Sequence, residues 1–267
     1  MELGHMVSLT DFEALRVPGA DFVELLLFDG DDRKFERSEA DLVRRLRAAR
    51  MKFVHVQEFV ELRGKPSLVD LSADDEDLRK KSVHAVEAAR RIARSVGGAK
   101  VVAHPGGIRK ERTESSSLRG KLAQSLTELG PEILLLENMP WYYWEKGSDK
   151  KVANLCVSVG DMAEFGDLVE GFTLDTSHGF LSRPEGDNSY CSEFLSVLGG
   201  RTLHVHASDA KAPDREGLQI GDGAIDFSFL SSVRVPILAE IWSGHANNGE
   251  GFRIGIERLR SLARSKA

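Results

Sequence analysis

The sequence predicts an α/β protein, a single parallel (β/α)8 barrel spanning residues 1–267, on three observations. Eight short apolar runs rich in Val, Ile, Leu and Phe alternate with longer amphipathic stretches, as strands buried on both faces alternate with covering helices. The length of the chain suits eight strand–helix units. The third through eighth runs end on His, Glu or Asp, and the C-terminal strand ends are where this fold places its active sites. An open doubly wound sheet shares the first two features, because local pattern does not show whether a sheet closes. The run endings favour the barrel.

In chain order the runs are MELGHM, DFVELLLF, KFVHVQEF, AKVVAHPG, EILLLENM, GFTLDTSH, RTLHVHAS and VPILAEIW. Each is too short for a free-standing helix. After the second run, Ser38 is placed as the N-cap of ADLVRRLRAARM. After the third, Leu78, Val86, Ala89, Ile92, Ala93 and Val96 recur at helical spacing over residues 75–96 until Gly97-Gly98 stops them. Gly221-Asp222-Gly223 reads as a tight turn into a short helix starting near Asp226. The last stretch sets Phe252, Ile256, Leu259 and Leu262 on one side. No composition break marks a linker.

Thirty-six basic residues against 42 acidic ones give a net charge of −6, so no global field draws the chain to nucleic acid or acidic membranes. Cys156 and Cys191 are the only cysteines and lack metal-site spacing, which reads as two reduced thiols. The first residues lack the charged and apolar regions of a signal peptide, and no apolar stretch approaches the ~20 residues of a membrane span. A cytoplasmic protein is expected.

The run endings are His55, His104, Glu137, Asp175, His206 and Glu240. Six imidazoles and carboxylates converging on one rim are costly to desolvate unless a cation lies among them. Oxygen and imidazole donors suit divalent Zn, Mn, Fe or Co. His204 shares a strand face with His206 and falls one layer deeper, as support. His5, His84 and His245 read as ordinary core or surface residues.

In this set the chain resembles the xylose isomerase-like TIM barrels, which include sugar isomerases, epimerases and endonuclease IV. The matching pieces are His104-Pro105-Gly106, Glu137-Asn138, LDTSH at 174–178, HASDAK at 206–211, GDGAIDF at 221–227 and PILAE at 236–240. The resemblance implies a metal site of Glu137, Asp175, His206 and Glu240. In the epimerase branch the two glutamates also act as acid and base on a ketose, and the histidine matching His178 contacts a substrate oxygen. In the endonuclease branch, histidines matching His55 and His104 bind further zinc, and His178 with Asp214 matches part of a third metal site.

Three departures weigh against DNA cleavage. Asp214-Arg215-Glu216 offers Glu where that third site has His, Asn138-Met139-Pro140-Trp141 replaces an Asn-Thr-Ala-Gly stretch, and Glu58-Phe59 replaces a Tyr-Leu pair at the DNA-penetrating loop. A carboxylate beside a phosphate backbone is repulsive. The epimerase branch's substrate arginine also lacks a counterpart, since Ala212 stands at that spacing, leaving Lys211 or Arg215 to serve. MPWYYWEKG after Glu137 either stacks a sugar ring, with Trp141 foremost, or packs a loop or a subunit contact between copies of the chain. Arg109, Lys110, Arg112, Arg119 and Lys121 read as a solvated loop rather than a phosphate grip. Lys211, Ser243 and Gly244 are candidates to bind a substrate phosphate.

The expectation is therefore a divalent-metal-dependent isomerase or epimerase of a sugar or sugar phosphate, with Glu137 and Glu240 transferring the proton. The alternative is a zinc phosphodiesterase acting on abasic DNA, and the third reading a barrel that binds metal or ligand without turnover.

Overall fold

The computed structural model describes residues 1–113, 115–144 and 150–264. Eight strands form the barrel: β1 (Leu3–Val7), β2 (Phe22–Leu26), β3 (Met51–His55), β4 (Lys100–Ala103), β5 (Leu134–Glu137), β6 (Gly171–Asp175), β7 (Thr202–Ala207) and β8 (Ile237–Ala239). Neighbours pair in parallel, and β1 returns to β8 through Leu3↔Ile237 and His5↔Ala239. The sheet is closed. All eight apolar runs supply a barrel strand.

The covering layer is less regular than eight strand–helix units. The described residues between β1 and β2 form turns rather than a helix, and Pro18-Gly19 ends that short connection. Phe12, Leu15 and Val17 still bury themselves against the barrel. Between β7 and β8 the cover is a 3-10 segment, Phe227–Ser232. The helix Glu76–Val96 matches its periodicity. Asp75 caps it by accepting from the amides of Asp77 and Leu78, and Gly97 with φ 122° ends it. Ser38 does precede the helix Glu39–Ala48, but its hydroxyl makes no capping bond there. In the last helix Phe252, Ile256 and Leu259 are buried, whereas Leu262, in the final turns, is 38% exposed.

Alternation along the strands sorts the barrel interior into two layers. Phe22, Phe53, Val102, Leu135 and Leu238 fill the lower one. Two residues further along the chain stand Glu24, His55 and Glu137 on the same strands and His104 and Glu240 just past theirs, with Asp175 and His206 arriving likewise from β6 and β7. A plug that is apolar apart from His204 thus underlies a polar layer that opens toward the loops at the C-terminal strand ends. Gly4 is small because a Cβ there would lie 2.4 Å from the Phe22 ring.

Three small antiparallel pieces rise beyond the strand ends. Phe59–Leu62 pairs with Lys65–Leu68, Asp209–Lys211 with Arg215–Leu218, and Lys150–Ala153 lies between Tyr142–Trp144 and Ile108–Arg109. They bring the loop side chains of the site into place.

Candidate metal centre

The six strand-end residues meet in two groups that share Glu137. Glu137, Asp175, His206 and Glu240 form one, and His55, His104 and Glu137 the other, with one donor atom from each residue lying within 4.8 Å of the rest of its group. His55 Nε2 is 3.4 Å from Glu137 Oε2, and His104 Nε2 is 3.6 Å from Glu137 Oε1. His206 Nδ1 lies 3.5 Å from Glu137 Oε1 and 3.2 Å from Glu240 Oε2. Glu137 Oε2, Asp175 Oδ2 and His206 Nδ1 are buried with no hydrogen-bond partner among the described residues. Buried polar atoms are normally satisfied. Orphaned donor atoms of metal-binding type facing one another are what a cation site requires, so the residues fit a divalent ion.

Backbone chemistry explains how Asp175 comes to offer an unbonded oxygen. It ends β6 and caps the helical turn Thr176–Phe180, its Oδ1 accepting from the His178 amide at 2.6 Å and the Ser177 hydroxyl at 2.8 Å. Oδ2 is left to face the site. Asn138 stitches β5 to β6: its side chain accepts from the Asp175 amide at 2.8 Å and donates to the Asp175 carbonyl at 3.0 Å. His178 Nδ1 donates to the Asn138 carbonyl at 2.9 Å, since a carbonyl can only accept, and this turns Nε2 toward Glu216 Oε2 at 3.4 Å.

Beneath His206 lies a residue that the run endings did not point to. Glu24 on β2 is fully buried and sits between two imidazoles, 2.7 Å from His204 Nε2 and 3.1 Å from His206 Nε2. A signal was present: Glu24 falls two residues after Phe22 inside an otherwise apolar run, the spacing that separates Phe53 from His55 and Leu135 from Glu137. Tyr143 was likewise not singled out. It is buried, its hydroxyl donates to Glu58 at 3.2 Å, and its ring meets His104 at 6.4 Å.

The electrostatics of the site are divided. Burial would push the Glu137 carboxyl up, but the imidazoles of His206 and His104 hold it well below the ordinary range. Burial dominates at Glu240, pushing it up to about 8. Burial also works against the charge of His55, yet the Glu137 carboxylate raises it to about 9. His206 and His178 are held well above their usual value despite burial, His206 chiefly by Glu24 and His178 chiefly by Asp175. Two carboxylates with opposed proton affinities share one pocket.

The remaining sequence candidates lie around the rim. Trp141 is half-buried with the Arg112 guanidinium 3.9 Å over its ring, so one face is covered. The aromatic segment's last residues, 145–147, and Glu114 in the basic loop lie outside the described residues. Lys211 and Arg215 are exposed and pair across their hairpin, while the alternation of that strand turns Glu216 inward to His178. Asp214 pairs with Lys150 at 3.7 Å and enters none of the three metal-capable groups among the described residues, the third being Glu24, His204 and His206. Ser243 is exposed, and Gly244 packs on Phe252. In the basic loop Arg109 binds Asp70 at 2.7 Å and Arg119 binds Asp161 at 2.7 Å. Those cations are engaged within the chain.

Fold and site together define a closed barrel carrying a cluster of metal-capable residues at its C-terminal mouth. The profile of the xylose isomerase-like TIM barrel family matches residues 12–262, and the chain belongs to that family. A probable endonuclease 4 from Streptomyces avermitilis is 26% identical over 219 residues, covering 74% of this chain and 68% of that protein. Among solved structures, a D-tagatose 3-epimerase-like protein superposes with a TM-score of 0.69 at 20% identity, covering 100% of this chain and 99% of the other. Endonuclease IV from Thermus thermophilus does so at 0.67 with 18% identity, over 99% and 100%. An IOLI protein with a bound zinc atom reaches 0.70 at 16% identity, over 99% of each chain. At these identities the structural likenesses show the fold.

Proposed function

We propose that the protein is a divalent-metal-dependent isomerase or epimerase of a sugar or sugar phosphate. The observation that carries this reading is the pair Glu137 and Glu240, which reach His206 from β5 and β8 and set two carboxylates across one pocket. Glu137, Asp175, His206 and Glu240 would hold the cation. A divalent ion held there would supply the Lewis acidity that makes a proton beside a ketose carbonyl easier to remove. Glu137, kept ionised by its imidazole neighbours, suits a base that removes that proton. Glu240, which stands across His206 from Glu137, suits the group that returns one from the other side. His178, fixed by Asn138, would orient a substrate oxygen.

The rim supports a polyhydroxyl substrate over a polyanion. Glu216 and Glu58 stand beside the site, the first against His178 and the second under Tyr143. Carboxylates accept hydrogen bonds from sugar hydroxyls and repel a phosphodiester backbone. This reading brings the neighbouring epimerase-like structure to bear on the present chain, at the level of reaction class.

A second reading rests on the group His55, His104 and Glu137, which offers a further cation position and favours phosphodiester hydrolysis, as the endonuclease 4 relative suggests. One experiment separates the two. Protein loaded with Mn, Co or Zn is incubated in heavy water with a panel of ketoses and, in parallel, with an abasic duplex. Deuterium entering an isomerised or epimerised sugar supports the leading reading. Nicking of the duplex without sugar exchange replaces it with the second, and neither activity across a broad panel leaves a barrel that binds without turnover.

A further inference from the structure

We infer that Glu24 is a positioning residue, which grips His206 by Nε2 so that Nδ1 is the nitrogen presented to a cation. The inference rests on the metal-centre reading above. Glu24 reaches across the barrel from β2 to β7, and both its oxygens lie at hydrogen-bond distance from His206 Nε2, at 3.1 and 3.2 Å. A carboxylate that faces two imidazoles accepts from them, so the proton of a neutral His206 ring sits on Nε2 and the lone pair on Nδ1. That Nδ1 is buried, has no hydrogen-bond partner among the described residues, and faces Glu240 and Glu137.

Glu24 is itself held from below. Its Oε2 lies 2.7 Å from His204 Nε2, His204 Nδ1 lies 3.1 Å from the Pro236 carbonyl, and the His204 ring stacks on Phe53 at 3.6 Å and 12°. The stack fixes His204, His204 fixes Glu24, and Glu24 fixes His206. A carboxylate this deep in an apolar barrel is costly to desolvate. A hydrogen-bond partner behind a ligating imidazole sets its tautomer and raises its basicity.

Two measurements test the inference. In protein labelled with ¹⁵N-histidine and loaded with ¹¹³Cd, cadmium coupling is expected at Nδ1 of His206, with a solvent-protected proton at its Nε2. Coupling through Nε2 overturns the assignment, and this measurement needs no variant. Glu24→Gln, which keeps the size of the side chain and one acceptor oxygen, is expected to bind zinc about 10- to 100-fold more weakly in competition with a chromophoric chelator. The visible absorption of the cobalt-loaded variant should also change. A folded Glu24→Gln protein with unchanged zinc affinity and an unchanged cobalt spectrum overturns the role of Glu24 alone. A wild-type chain that binds no ion overturns the metal-centre reading itself, and this inference with it.

Discussion

Glu137 Oε1 and His206 Nδ1 face each other at 3.5 Å across the barrel mouth, held together by the folding of two strands rather than by a hydrogen bond. The same Glu137 also meets His55 and His104 from the other side. One carboxylate is therefore common to two of the metal-capable groups, and the consequences of removing it differ from those of removing any neighbour.

Glu137→Ala is expected to abolish tight cation binding at both positions, because each group loses a ligand. His104→Ala touches one group only and is expected to leave the ion held by Glu137, Asp175, His206 and Glu240 in place. Elemental analysis of the purified variants checks this. Equal metal content in Glu137→Ala and wild type would refute the shared-ligand arrangement.

The metal-free chain is expected to lose stability as pH rises. Glu240 has its folded value pushed up to about 8 from 4.5, and His55 to about 9 from 6.5. A raised group binds its proton more tightly when folded, so its contribution is complete below the unfolded value and disappears as pH climbs through the folded one. Stability should fall between about pH 5 and pH 9. Glu137 runs the other way: it is held low, so its contribution is present above its unfolded value and lost in acid. Urea midpoints measured in chelator across this range give the slope. Metal affinity should rise over the same interval, because binding displaces these protons.

Asp209→Ala should unfold the loop that follows β7 at modest cost elsewhere. The buried Asp209 carboxylate accepts from the amides of Ala210 at 2.8 Å, Gly221 and Gly223 at 2.9 Å, and Ile225 at 3.0 Å. Orphaning such donors costs ~1–3 kcal/mol each, so for four of them a total of at least about 4 kcal/mol is expected. Thermal melting would fall by roughly 8–16 °C. A shift under a degree would show that water satisfies those amides just as well.

Gly106→Ala should disturb the connection that carries His104. Gly106 has φ +84°, and an added Cβ would lie 2.1 Å from Asp70 Oδ1, the oxygen that accepts from the Gly107 amide. Relieving that clash must move the loop or Asp70, at a cost of about 1–3 kcal/mol. The variant is expected to bind fewer ions per chain while keeping the four-ligand position. Wild-type metal content and an unchanged melting temperature would contradict this.

Much of this protein was legible along the chain. Eight apolar runs specify eight strands because burial on both faces of a parallel sheet demands continuous Val, Ile and Leu, and six of their endings carried chemistry that apolar strands do not need. The helix at 76–96 was equally plain, since its apolar spacing and its glycine stop agree. Local pattern failed where distant partners decide the outcome. Residues 8–20 carry apolar side chains yet cover the barrel without a helix, and Ser38 stands at a helix start without using its hydroxyl.

Closure of the sheet, the sharing of Glu137 between two groups, the Arg112 cover over Trp141 and the meeting of Glu216 with His178 belong to the tertiary structure. So does the place of Glu24. In sequence it is one glutamate in an apolar run, 182 residues from His206. Only closing the barrel brings β2 across from β7. There the cost of burying a charge forces that carboxylate onto the two imidazoles, because nothing else in an apolar interior can offset it.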